Sequence, residues 1–278
     1  MSGSHGRFVW YELTTSDIDA SKAFYADVVG WAARDASASM PYTLFTAGED
    51  SVGGLIGLPE HADKIGAQPR WIGYVSVDDV DATAGRIKQL GGAVYVPPTD
   101  IPKVSRFSVV ADSQMAAFVV VKWQDPGHRQ SAAIDKPGHV GWHELLASDS
   151  EKAFAFYHEI FGWQKAETHI GPTGAYRLFS AAGQTMGGMF NKPSMAPVAF
   201  WLYYFNVADV DAAAQRARTN GGRILEGPTE IPGGRVARCT DPQGAMFALI
   251  GQRGRKTVGY FEQSAPLDPG GRDRQWSW

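Results

Sequence analysis

The sequence predicts an α+β fold made by tandem duplication, two copies of one domain, each built from two βαβββ units. Three observations carry this. First, residues 8–31 and 140–163 match at ten of twenty-four positions with a constant offset of 132. Second, short alternating segments interleave with segments of helical period. Third, 32 glycines and 16 prolines imply many turns and therefore many short strands.

The matched positions are Trp10/Trp142, Glu12/Glu144, Leu13/Leu145, Ser16/Ser148, Asp17/Asp149, Ala23/Ala155, Phe24/Phe156, Tyr25/Tyr157, Gly30/Gly162 and Trp31/Trp163. Downstream the echo continues in fixed order. Val52-Gly53-Gly54 answers Met186-Gly187-Gly188, VDDVDA (77–82) answers VADVDA (207–212), and PTDIP (98–102) answers PTEIP (228–232). ADSQMAAFVVV (111–121) answers TDPQGAMFALI (240–250). Order and repetition together signify an internal duplication. The first copy spans 7–123 and the second 139–252. The linker 124–138, QDPGHRQSAAIDKPG, is polar and rich in chain breakers, and the tail 253–278 follows no part of the repeat.

Within the first copy, residues 8–14 alternate as a strand does. Ser16 and Asp17 are placed to cap a helix that presents Phe24, Tyr25 and Val28 on one face and stops at Gly30. Strands follow near 42–46 and 52–57, with a further strand at 71–77. Asp78 and Asp79 open a second helix with Val80, Ala84 and Ile87 on one face, ended by Gly91. Strands near 93–97, 106–110 and 117–122 complete the copy. Gly53-Gly54 and Gly187-Gly188 suggest a bulge or a close backbone approach rather than a phosphate cradle, because no helix start follows them.

Bulk properties narrow the function. A chain of 278 residues accommodates two domains. Its formal net charge of −3 offers no reason to expect nucleic acid or an anionic membrane surface. No apolar run approaches the ~20 residues that span a bilayer, and Met1 to Gly6 is short and polar, so a cytoplasmic location is expected. Cys239 is the single cysteine, which excludes an internal disulfide and a cysteine-built zinc site. A small molecule is the expected partner. The chain is expected as a monomer with an internal pseudo-twofold, or as a homodimer.

The segments TSDIDASKAFYADVVGW (15–31), ASDSEKAFAFYHEIFGW (147–163) and DPQGAMFALI (241–250), with the two VxDVDA helix starts, resemble the vicinal oxygen chelate superfamily. That superfamily includes glyoxalase I, bleomycin-resistance proteins and extradiol dioxygenases. The resemblance covers roughly 8–123 and 139–252. It implies that the paired units of each copy form a curved mixed sheet, a cup or half-barrel that holds the ligand, often on a divalent metal. The family's ligand positions fall here at Trp10, Ile72 and Val119 in the first copy and at Trp142, Leu202 and Ala248 in the second. None of these side chains binds a divalent cation. No metal or other cofactor is therefore expected, and metal chemistry would require unconventional ligands.

On a strand, Trp10 shares a face with Glu12, and Trp142 with Glu144, while Tyr11 and His143 point the other way. If that face lines the cup, the tryptophans offer stacking area and an N–H donor. A carboxyl in a partly apolar cup has its pKa raised and is suited to act as a base or to accept a ligand's N–H or O–H. Glu12 and Glu144 are thus the candidate catalytic residues. Trp10, Trp142, Tyr42, Tyr176, Arg106 and Arg235 are candidate ligand-binding residues, the arginines as partners for the glutamates. Three functions follow: a metal-free binder of a small, partly aromatic or cationic molecule; a glyoxalase-, lyase/isomerase- or dioxygenase-like enzyme using Glu12 and Glu144 as base or ligands; or an interaction module whose cups are filled by their own side chains.

Overall fold

The computed structural model describes residues 4–37, 40–60, 66–124, 134–171, 174–194 and 196–252. The tail 253–278, most of the linker, His61 and His128 lie outside the described residues. The first copy runs β1 (Phe8–Thr15), α1 (Ile18–Val28), β2 (Ala32–Ser37), β3 (Met40–Ala47), β4 (Asp50–Gly57), β5 (Arg70–Ser76), α2 (Val80–Gln89), β6 (Ala93–Ile101), β7 (Ser105–Ala111) and β8 (Ala117–Trp123). The second repeats it as β9 (Val140–Ala147), α3 (Ser150–Phe161), β10 (Gln164–Gly171), β11 (Gly174–Ala181), β12 (Gln184–Asn191), β13 (Phe200–Asn206), α4 (Val210–Thr219), β14 (Arg223–Ile231), β15 (Gly234–Thr240) and β16 (Met246–Gln252). The strand after each first helix, implied by the unit but not placed by its own alternation, is β2 or β10.

Each copy closes into one eight-stranded mixed sheet. The orders β2-β3-β4-β1-β5-β8-β7-β6 and β10-β11-β12-β9-β13-β16-β15-β14 are equivalent. The first strand of each copy lies in the middle, parallel to one neighbour and antiparallel to the other. Among the described residues, each of the four helices begins with an aspartate whose carboxylate accepts a backbone N–H of the first turn: Asp17, Asp79, Asp149 and Asp209. Each such cap is worth about 1 kcal/mol.

One face of each sheet builds a core that belongs to both copies, since Phe8, Tyr11, Phe24, Tyr25, Phe118, Tyr157, Trp163, Tyr203 and Phe247 fall in a single buried cluster. Reciprocal bonds tie it. Tyr25 on α1 donates to Asp241 after β15 at 3.1 Å, and Tyr157 on α3 donates to Asp112 after β7 at 3.0 Å. Tyr11 and His143, which occupy equivalent positions, meet each other at 2.5 Å, as a pseudo-twofold axis between β1 and β9 requires. Burial pushes the His143 imidazole down to about 4, so it remains neutral there, with its other nitrogen bonded to the Met186 carbonyl at 2.7 Å. The opposite faces of the two sheets, those of Trp10/Glu12 and Trp142/Glu144, are the cups.

Candidate functional site

In the second cup the side chains that converge come from separate strands. Trp142 and Glu144 lie on β9, Tyr176 on β11, Tyr204 on β13, Glu226 on β14 and Arg238 on β15. The order of the bonds is continuous. Trp142 Nε1 donates to the Tyr176 hydroxyl at 2.8 Å, and that hydroxyl donates to Glu144 Oε1 at 3.0 Å. Glu144 Oε2 accepts from Tyr204 at 2.7 Å and from an Arg238 terminal nitrogen at 2.7 Å. Arg238 Nε reaches the Tyr204 hydroxyl at 3.2 Å, and its remaining terminal nitrogen bonds Glu226.

The Glu144 side chain is 5% exposed and that of Arg238 22%, so this ion pair is largely removed from water. Burial works against the Arg238 charge, but Glu144, Tyr204 and Glu226 outweigh it and hold the guanidinium well above its usual range. Burial, with Glu144 next to them, keeps the Tyr176 and Tyr204 hydroxyls protonated and therefore donating. Above the network opens a cavity of about 210 Å³, walled on its apolar side by Ile231, Val236, Ile250 and Trp142. Phe190 lies under the guanidinium at 5.6 Å.

A glycine makes this reach possible. Gly188 lies in register with Glu144, and a Cβ on it would sit 2.3 Å from the Tyr176 ring. In the first cup Gly54 lies in register with Glu12, and its Cβ would fall 1.8 Å from the Tyr42 hydroxyl. The Gly-Gly pairs are thus places of close approach: Gly53 and Gly187 face the backbone carbonyls of Tyr11 and His143, while Gly54 and Gly188 meet the tyrosine that bonds the glutamate.

The first cup has the same plan but different electrostatics. Trp10 Nε1 donates to Tyr42 at 2.9 Å, and Glu12 accepts from the hydroxyls of Tyr42 and Tyr74. Burial holds the Glu12 carboxyl above the ordinary carboxylate range, against the pull of the two tyrosines. Val109 occupies the place of Arg238: it faces Val119 across β8 as Arg238 faces Ala248 across β16.

The two arginines expected to pair with the glutamates do not do so. Arg106 bonds Asp81 at 2.7 and 2.8 Å and Asp100 at 3.0 Å. Arg235 bonds Asp211 at 3.0 Å and Glu230 at 2.8 Å. The reason is pleat parity. Arg106 pairs across the sheet with Lys122 and Arg235 with Gly251, one residue out of phase with the cup-facing Val121 and Ile250. Their partners Asp81 and Asp211 lie in the first turns of α2 and α4, on the helix side. The arginine that does pair with a cup glutamate is Arg238, bonded to Glu144. Tyr74 and Tyr204, also unforeseen, stand beside Trp10 and Trp142 across β5 and β13.

The donor set does not suit a divalent metal. Ile72 and Leu202 face Glu12 and Glu144 across the sheet, and Val119 and Ala248 face Tyr74 and Tyr204, so the family's ligand positions do line the cups, with side chains that lack a donor. Glu144 already holds a guanidinium, which repels a second cation. Among the described residues no three His, Cys, Asp or Glu side chains come together. His158 bonds the Trp163 carbonyl and His143 lies in the shared core, away from either cup. Among the described residues no helix is long and apolar enough to cross a membrane.

Comparison with known proteins gives a consistent picture. The profile of the Glyoxalase/Bleomycin resistance protein/Dioxygenase superfamily matches residues 7–120 and 136–249. CFP32 of Mycobacterium bovis, named provisionally as a glyoxylase, is 33% identical over 245 residues, covering 87% of this chain and 93% of that protein. The anthracycline biosynthesis protein DnrV of Streptomyces peucetius is 31% identical over 267 residues, covering 88% and 93%. Among solved structures, the Mn(II)-bound glyoxalase from Novosphingobium aromaticivorans superposes with a TM-score of 0.59 at 18% identity, covering 89% of this chain and 82% of that one. The 2,3-dioxygenase LapB from Pseudomonas sp. KL28 gives 0.61 at 12% identity, with 95% and 97% covered. At these identities the structural likeness speaks for the fold alone.

Proposed function

The chain belongs to the glyoxalase/bleomycin resistance protein/dioxygenase superfamily, and from that premise we propose that it binds a small, partly aromatic molecule in its cups without the superfamily's metal triad. The observation that carries the reading is the cavity of about 210 Å³ over the Trp142–Tyr176–Glu144–Tyr204–Arg238 network. An apolar wall and a fixed row of polar groups are what a planar ligand with a hydroxyl-bearing edge requires. The volume lies below the ~300–1,000 Å³ of drug-sized sites, which favours one or two fused rings, or the end of a larger ring system. A relative named for anthracycline biosynthesis supports fused aromatic rings as the class. The cavity also speaks against a cup filled by its own side chains.

The enzymatic alternative is narrowed by the same geometry. Glu144 accepts three hydrogen bonds, one from a guanidinium, and is poorly placed to take a proton from a substrate. Glu12, with two tyrosine donors and a raised pKa, is the carboxyl better suited to a lyase or isomerase. We further propose that the protein acts in the cytoplasm.

Calorimetric titration of the full chain with 2-naphthol and with 1,8-dihydroxyanthraquinone tests the binding reading. Saturable binding of either, weakened at least tenfold by Trp142→Ala, supports it. Binding of neither, or binding indifferent to Trp142→Ala, overturns it.

A further inference from the structure

The two copies differ at three corresponding positions of the sequence, and the differences point the same way. Where the second copy has Glu226, Arg238 and Gln252, the first has Val96, Val109 and Trp123. The second cup carries its own cation. The first replaces that cation with a short apolar side chain and adds an indole to the wall.

In the first cup Trp123 stands edge to face with Trp10, the ring centroids 6.4 Å apart and the planes at 80°. Tyr74 pairs with Trp10 across the sheet, and Tyr42 takes the Trp10 N–H. Trp10, Glu12, Tyr74, Val96, Val109 and Trp123 are all half-buried, whereas Trp142, Glu144 and Tyr204 are buried. The first cup is thus more open at its carboxyl than the second. Glu12 accepts from two tyrosine hydroxyls, which use about half of the acceptor positions of a carboxylate. Neither of those donors carries charge.

We propose that the first cup is a separate site for a substituted ammonium group, with Glu12 as its counter-ion and the rings of Trp10, Trp123 and Tyr74 as its walls. This rests on reading the cups as small-molecule sites, and it divides that reading into two ligand classes. An ammonium bearing carbon substituents has few or no N–H groups to satisfy, so ring faces and one carboxylate serve it better than a row of hydrogen-bond acceptors. In the second cup the guanidinium of Arg238 already occupies the corresponding seat. There the ligand meets a neutralised network, which suits an uncharged aromatic. In the first cup the seat lies above Val109, and a ligand's own cation completes the arrangement that Arg238 completes in the other copy.

The test is calorimetric titration of the full chain with choline and with 3,3-dimethylbutan-1-ol, which has the same shape without the charge. Choline is expected to bind at least tenfold more tightly than the alcohol. Glu12→Gln is expected to weaken choline binding at least tenfold, and Val109→Arg, which supplies the second cup's cation, to do the same. Far-UV circular dichroism checks each variant's fold, and Val109→Arg serves as the test should Glu12→Gln fail to fold. Equal affinity for the two ligands, or wild-type affinity in both variants, overturns the proposal. Absence of choline binding overturns it as well. If 2-naphthol then still binds, the reading of the second cup stands; if it also fails, both fall.

Discussion

Replacing Arg238 by methionine isolates the electrostatics of the second cup. Methionine keeps most of the length and the contact with Phe190 but removes the guanidinium. Glu144, 5% exposed, loses the guanidinium it is paired with and retains two tyrosine donors at 3.0 and 2.7 Å. Removing one partner of a buried ion pair costs about 3–5 kcal/mol, because the remaining charge stays buried without compensation. The two hydroxyls soften this, and the freedom of Glu226 to turn to water softens it further, so a loss of about 3 kcal/mol is expected. The assay is urea unfolding at pH 7 with the midpoint and slope fitted together. The double variant Arg238→Met/Glu144→Gln removes the orphaned charge and should recover most of the loss, giving a coupling of at least about 1 kcal/mol. A single-variant loss below about 1 kcal/mol, the range of an exposed pair, would refute the view that Glu144 is desolvated and held by Arg238.

Three further outcomes follow from the same structure. His143 is depressed from 6.5 to about 4; at about 1.4 kcal/mol per pH unit it contributes about 3 kcal/mol of stability. Because the folded value is the lower one, that contribution is complete above pH 6.5 and is lost as pH falls toward 4, so wild type minus His143→Gln should shrink over this window; a constant difference contradicts it. Glu12 is raised, so its contribution is complete at acid pH and declines as pH rises through its folded value. Glu12→Gln should therefore gain stability relative to wild type from pH 4 to pH 8, and a difference that moves the other way sinks the assignment. Gly188→Ala places a methyl 2.3 Å from the Tyr176 ring; it should cost about 1–3 kcal/mol and abolish 2-naphthol binding by expelling Tyr176 from the cup, whereas unchanged affinity would show that Tyr176 does not shape the site.

Much of this architecture was legible in the chain because it is locally encoded. The duplication, the four aspartate caps and the strand parity of Trp10/Glu12 need only short-range rules. Tyr42 and Tyr176 were found as matched aromatics, and Gly54 and Gly188 as places of close approach, although nothing local linked the tyrosine to the glycine. That link depends on register between β3, β4 and β1. Arg238 was missed, and Arg106 and Arg235 preferred, because the choice turns on a single pleat. Matched positions in the repeat drew attention to what the copies share, whereas Arg238 and Val109 are where they differ. Tyr74 and Tyr204 carried a usable signal, being matched aromatics in the antiparallel neighbour of the central strand, but the pairing with Trp10 and Trp142 is a long-range fact.

The reciprocal clasp of Tyr25 on Asp241 and Tyr157 on Asp112 has a consequence for how such a protein changes. Two identical subunits joined by that clasp would share every substitution, and a mutation in one binding seat would appear in both. A single polypeptide carrying both halves is released from that constraint. The contact surface must stay matched on its two sides, while the seats lie on the far faces of the sheets and answer to separate codons. Arg238 in one and Val109 in the other is an asymmetry that two identical subunits could not hold.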